Sequence, residues 1–374
     1  MKILVFGAGS LGSLMAARLH EAGQDVSLLA RGQRLEDLKK HGIVIREKGS
    51  EELEVAQVNI VEKFEPDDYY DLVMIVMRKN HADKILDDLA KNNKVPVFLF
   101  MGNNAEGPEE MIQVFGKERL MLGFPLPGGH RDGHLVEVLP VNEKKKYTIP
   151  LGEVDGKVRD RTRDIANTLS TMRGFKVQIR KDMINWLKYH VALLMSGFVP
   201  AIYAADINMK RLGETRDLIV LAVRATKEAI RGLRKSGIPT SPPVVRVIEY
   251  IPEPLLVGLI GWMMRKEFAK SSVEGHPRDA RDEMTYLYDE LMSIIDKKNV
   301  KTDAIDELSK YYDPNTPSYP EGKRELSLKW GGILTFTNDS CFNLLFNLGD
   351  DINANNFDNC YFTIIDSWFF NLEI

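Results

Sequence analysis

The chain has 374 residues, 44% of them hydrophobic and 28% charged, with a formal net charge of −4. That length buries a sizeable core and divides into two or more domains, and the composition is that of a soluble globular protein. Mild acidity without a basic stripe excludes a nucleic-acid partner. A body free of cysteine as far as Cys341 and Cys360 excludes a disulfide framework and makes the cytoplasm the expected compartment.

The first twelve residues carry the densest signal. Ile3, Leu4, Val5 and Phe6 form an apolar run that reads as a buried parallel strand, beginning too early for a signal peptide to precede it. Gly7, Gly9 and Gly12 follow at G-x-G-x-x-G spacing, and Leu11, Leu14, Met15 and Leu19 then recur at helical intervals. Strand, glycine turn and helix in this order make a dinucleotide site, a stronger reading than a plain glycine turn. Gly7 permits the tight turn, Gly9 lets a pyrophosphate approach the backbone, and Gly12 lets the helix pack on its strand. The helix opening at Ser10 and Leu11 turns free N–H groups and a positive dipole end toward the phosphates.

A second apolar run covers residues 25–30, and its end is where an NAD-binding fold carries Asp or Glu for the ribose hydroxyls. Ala30 and Arg31 stand there instead, with Arg34 close behind and expected to help Arg31. A guanidinium without a neighbouring carboxylate suits a 2′-phosphate, so the expected cofactor is NADP; the plainer reading is a solvated surface arginine.

Strand signals at 2–6, 25–30, 71–77 and 96–101 alternate with helix signals at 11–22, 33–41, 80–91 and 107–115. This predicts an α/β fold with a Rossmann-like, doubly wound parallel sheet. Short strands at 120–124, 134–139 and 147–151 are expected to extend that sheet in antiparallel fashion. From about residue 183 amphipathic helices take over, at 183–198, 214–236 and 278–297. The expected division is an NADP-binding domain over 1–180, an all-α substrate and dimerisation domain over 181–330, and an atypical tail over 331–374. That tail lacks Lys and Arg, holds 7 of the 16 phenylalanines and is given no chemistry. The most apolar stretch, 255–264, is too short to span a bilayer. Followed by Arg265, Lys266 and Glu267, it reads as an interface patch with a charged rim, hence a homodimer, or else as a core helix.

Lys188 lies in an apolar helical context, and counting by four places Ala192 and Ser196 on its face. A lysine there loses solvation, which lowers its pKa and suits it to proton donation; the competing reading is a snorkelling surface lysine. His81, His130, His134, His190 and His276 show no metal-ligand spacing, so no metal is expected.

The motif GAGSLGSLMAARL, the Asn103-Asn104 loop after the fourth strand, Trp186-Leu187-Lys188 and Glu283 occur in the order seen in the 2-dehydropantoate 2-reductases (ketopantoate reductases), and the chain resembles that family over about residues 1–300. The resemblance implies NADPH-dependent reduction of 2-dehydropantoate or a related 2-keto acid, as in pantothenate biosynthesis. It implies Lys188 as proton donor, Glu283 as the group that binds the substrate hydroxyl, and Asn103 near nicotinamide and substrate. Arg78 stands at the position of a family lysine that approaches the cofactor, and Ser271 or Ser272 at that of a serine near the substrate carboxylate. Family asparagines are replaced by Ala192 and Ser196, which leaves the reaction type standing and opens the choice of substrate. The alternatives are a reductase of a different ketone or imine, and an NADP-binding sensor or scaffold without turnover.

Overall fold

The computed structural model describes residues 1–125, 128–140, 146–266, 275–295 and 299–329. The main sheet has eight strands in the order β12-β11-β8-β7-β6-β1-β2-β5, with β5 (Asn59–Val61) at one edge. At its centre lie β1 (Lys2–Phe6), β2 (Asp25–Leu29), β6 (Leu72–Ile75) and β7 (Phe98–Met101), all paired in parallel. Runs such as LVMI and FLFM are buried along their whole length, because helices cover both faces of a parallel sheet. Each fully buried Leu or Ile there contributes about 1.5–3 kcal/mol. The helices of this half are α1 (Ser10–Glu21), α2 (Gly32–His41), α3 (Lys79–Ala82), α4 (Leu86–Ala90), α5 (Glu109–Phe115) and α6 (Asp160–Ser170). The helix expected over 80–91 is thus α3 and α4, separated by a 3-10 turn, Asp83–Ile85.

Two expectations about the later strands change. The run at 120–124 is β8 (Leu120–Gly123), and it pairs parallel to β7, not antiparallel. The reason is α5, a crossover that returns the chain in its original direction. Only β11 (Tyr147–Glu153) runs antiparallel to β8, and β12 (Phe175–Ile179), delivered by α6, pairs parallel to β11. The run at 134–139 does not join this sheet. It is β10 (Leu135–Val138), which pairs with β9 (Gly129–Asp132) and β3 (Ile43–Glu47), and β3 with β4 (Leu53–Ala56), in a second, four-stranded sheet. The alternating burial of β10 and the wholly exposed GHRD of β9 fit a sheet with one wet face and would be costly inside the main one.

Beyond Ile179 the described residues are helical. They form α7 (Met183–Leu193), α8 (Val199–Ala204), α9 (Met209–Glu214), α10 (Arg216–Lys235), α11 (Glu253–Met264), α12 (Gly275–Asp279), α13 (Arg281–Ile294) and α14 (Asp303–Ser309). The 20-residue α10 is the hub, with Leu218, Ala222, Ala225, Ala229 and Leu233 fully buried at helical spacing. A π turn, Leu194–Phe198, joins α7 to α8 and presses Gly197 against Ala222, where an added Cβ would lie 2.4 Å from the Ala222 carbonyl oxygen. Residues 183–204 are apolar and long enough to cross a membrane, yet 89% of the window that meets this test is buried inside the fold. On α11 one face (Leu256, Val257, Ile260, Met264) is core, while Leu255 and Trp262 on the other are exposed.

Candidate active site

The glycine turn leaves β1 beside the end of β6, where strand order reverses and parallel sheets open a crevice at their carboxyl ends. Gly7 has φ +121°, and a Cβ there would lie 2.4 Å from the Val76 carbonyl oxygen. At Gly12 a Cβ would lie 1.9 Å from the Gly7 carbonyl oxygen, so α1 seats directly on the turn. Gly9 is different: nothing lies within 4 Å of its Cβ position, which leaves open space over the backbone that caps α1. No side chain caps that helix, and the Ser10 hydroxyl donates instead to the Gly129 carbonyl (3.0 Å), tying β9 to the turn.

The two arginines after β2 divide. Arg34 is buried and donates to the carbonyls of Ala8 (3.2 Å) and His134 (3.1 Å) and to the Ser13 hydroxyl (2.9 Å). Burial, and then the charge of Arg131, bring its pKa down to about 10. Its donors are spent on the turn itself, which corrects the expectation that it assists Arg31. Arg31 is exposed, its guanidinium 5.9 Å from the Phe6 ring, with no hydrogen-bond partner among the described residues.

Across the crevice, Arg78 donates to the Asp282 carboxylate (3.0 Å) and to the Asp279 carbonyl, while His130 Nδ1 lies 2.7 Å from the Asp279 carboxylate. Arg78 therefore bridges the sheet to the start of α13 in this structure, a commitment its sequence position did not show.

Lys188 is 8% exposed on α7. Its Nζ donates to the carbonyls of Ala105 (3.0 Å) and Glu106 (2.5 Å) in the turn after β7. Burial lowers its pKa, opposed by the charges of Glu109, Glu290 and Glu106. Glu283, on the first turn of α13, is 3% exposed and accepts the Lys79 backbone N–H at 3.1 Å. Asn103 and Lys79 line a small cleft with Met77, Gly102, Asn104 and Met111. The Asn103 Oδ1 is buried without a partner, whereas Asn104 Oδ1 braces the turn by accepting from Gly107 N–H at 2.7 Å. Of the two amides, Asn103 is the open one.

The matched family model covers residues 3–150 and describes ketopantoate reductase PanE/ApbA. Over those residues the chain is similar to this family. Together with the relatives below, this likeness identifies an enzyme of the oxidoreductase class. It is 24% identical over 238 residues to the 2-dehydropantoate 2-reductase of Pyrococcus horikoshii, covering 64% of this chain and 75% of that protein. Identity is 28% over 255 residues with the one from Mesorhizobium japonicum, covering 60% and 76%. The fold is shared with the 2-dehydropantoate 2-reductase of Geobacter metallireducens, at TM-score 0.66 and 18% identity over 84% of this chain and all (100%) of that one. It is also shared with D-mandelate dehydrogenase solved with NADH and anilino(oxo)acetate, at TM-score 0.62 and 20% identity over 83% and 97%.

Within this ketopantoate reductase fold, Asn103, Lys188 and Glu283 meet around the turn after β7 and the start of α3. Ser196 does not reach the cleft: it is fully buried in the π turn, and its hydroxyl donates to the Ala192 carbonyl at 2.6 Å. Ser271 and Ser272 lie outside the described residues. Lys79 is the second of two adjacent cations where the family lysine falls, and only the fold shows it to be the buried one. Glu290 escaped the sequence reading, its one signal being a spacing of two helical turns from Glu283.

Proposed function

We propose that the chain reduces a small 2-keto acid, 2-dehydropantoate or a related ketone, to the 2-hydroxy acid with NADPH, in the crevice between sheet and helices. The carrying observation is a buried lysine held at the turn after β7 and a buried glutamate held at the neighbouring start of α3, together with an open glycine loop. The residues present fit the cofactor. Gly9 leaves room for a pyrophosphate, the uncapped start of α1 offers N–H groups, Arg31 is free for a 2′-phosphate, and Asn103 holds an unpartnered amide oxygen. Bound NADPH supplies the hydride for the carbonyl carbon. Lys188, anchored through two of its three N–H bonds, keeps the third for the substrate oxygen and passes it a proton as negative charge develops there. Its lowered pKa makes that transfer easier. Glu283 accepts a hydrogen bond from a substrate hydroxyl, and a serine of the 271–272 pair meets the carboxylate. With a methyl group at Ala192 and a committed hydroxyl at Ser196, substrate choice beside Lys188 rests on size more than on amide contacts.

The same reading gives a cytoplasmic homodimer without nucleic-acid or membrane partners, associating through exposed Leu255 and Trp262 of α11; light scattering tests its oligomeric state. The function is tested by NADPH oxidation against a panel of 2-keto acids, extended to bulkier ketones and imines. Turnover of a 2-keto acid is expected. NADPH binding without oxidation by any compound overturns the reductase reading in favour of a sensor, and turnover of an imine alone moves the substrate class.

A further inference from the structure

Two buried ionisable groups beside the site, Lys79 and Glu290, have no part in the reduction as derived above. They are 7% and 6% exposed. Glu290 stands two turns after Glu283 on the same face of α13. Its Oε2 accepts the backbone N–H of Ala105 at 3.1 Å and of Glu106 at 3.4 Å, and its Oε1 lies 3.0 Å from Lys79 Nζ. Lys79 Nζ also donates to Asp83 at 2.5 Å and lies 5.8 Å from the Tyr286 ring. Lys188 takes the carbonyls of the same two residues, Ala105 and Glu106. The 105–106 peptide thus carries a carboxylate at its N–H and an ammonium at its C=O, which polarises the peptide and pins both ends. A carboxylate buried this deeply requires a counter-charge, and Lys79 supplies it.

We propose that Glu290 is a positioning residue for Lys188, acting through the 105–106 turn, with Lys79 as its counter-charge. The proposal rests on the reading of Lys188 as proton donor and adds what sets the position and proton affinity of its ammonium. Glu106 and Glu109 also face Lys188, while Asp83, Glu283 and Tyr286 flank Lys79; all five stay in place in the variants below. Removing the Glu290 charge takes a stabilising anion from the surroundings of Lys188. Removing Lys79 leaves that anion uncompensated, so the two changes push Lys188 in opposite directions.

The experiment is trinitrobenzenesulfonate labelling of the full chain across pH, with the rate at Lys188 read by peptide mass spectrometry. It needs no substrate, so failure of the reductase reading does not blur it. Glu290→Gln should lower the labelling midpoint by about half a pH unit or more, and Lys79→Met should raise it by a similar amount. A merely structural role lowers the melting temperature and leaves the midpoint where it was. Either midpoint standing still, or both moving the same way, overturns the proposal. If Glu290→Gln does not fold, the Lys79→Met midpoint decides alone: raised supports the proposal, unmoved or lowered removes it. Normal turnover with an unmoved midpoint removes Glu290 and leaves Lys188 as the donor.

Discussion

The glycine turn and the lysine cluster face each other across one crevice, yet they are built in opposite ways. The turn is assembled from consecutive residues, and its geometry follows from what cannot fit: a Cβ at Gly12 would lie 1.9 Å from the Gly7 carbonyl oxygen. The cluster draws on the turn after β7, the start of α3, α7 and α13, and it is held by long-range hydrogen bonds spanning 82 to 204 residues of sequence. A local site is set by backbone sterics; a convergent one depends on every element arriving where it should. Mutations should therefore act differently on the two.

The largest effect is expected in the cluster. Lys188→Ala should lower kcat by about 10²–10⁴ with NADPH affinity nearly unchanged, because a proton donor is lost and the turn is not touched. Full turnover in that variant would remove the assignment.

In the turn, Gly12→Ala should cost about 1–3 kcal/mol of stability, read as a lower melting temperature, and weaken cofactor binding with it. Gly9→Ala meets nothing in the protein, so its melting temperature should hold while NADPH affinity falls about tenfold. Equal loss of stability in both variants would show that Gly9 is a packing residue.

The arginine pair sharpens the contrast further. Arg31→Ala should erase most of an NADPH-over-NADH preference of about ten- to a hundredfold, since one charge-assisted phosphate contact is worth about 1.5–3 kcal/mol. Arg34→Ala should instead destabilise the fold, leaving its buried partner groups unpaired, and keep the ratio of affinities. Unchanged cofactor preference in Arg31→Ala would place the guanidinium in solvent.

The smallest effect concerns His190 on α7, which stacks on Trp186 at 5.1 Å with its Nε2 buried and unpartnered. Burial lowers its pKa to about 4, below the ordinary 6.5, so the unfolded chain binds the proton more tightly. Stability from the neutral ring is present above pH 6.5 and lost progressively as pH falls toward 4. In a His190→Phe variant the melting temperature should fall less between pH 7 and pH 4 than in the unmutated chain. An identical pH dependence would show that other groups carry the acid sensitivity.

The central strands were legible because LVMI-type runs, buried on both faces, have only one home in an α/β sheet. The second sheet was missed because β9 and β10 are short, and their alternating or polar character matches any edge strand. The direction of β8 is decided by the crossover that delivers it, which the strand's own residues do not encode. The same distinction runs through the site. Gly7, Gly9 and Gly12 could be read in place, and Lys188, Glu283 and Asn103 came from motif order. Arg34 was misread because a guanidinium looks the same on paper whether it faces water or the Ala8 carbonyl. Glu290 was invisible because a glutamate on an amphipathic helix is ordinarily solvated.

Local patterning alone settled the strand–turn–helix unit, the glycine positions, the absence of an acid after β2 and the helices among the described residues beyond 183, since each follows from short-range sterics and periodic burial. Packing decided the rest: which arginine is free, that Ser196 turns inward to Ala192, and that Glu290 and Lys188 share one peptide turn with Lys79 against the carboxylate. Desolvation and hydrogen bonding are fixed by neighbours distant in sequence, so the state of a charged side chain appears only once the chain has folded around it.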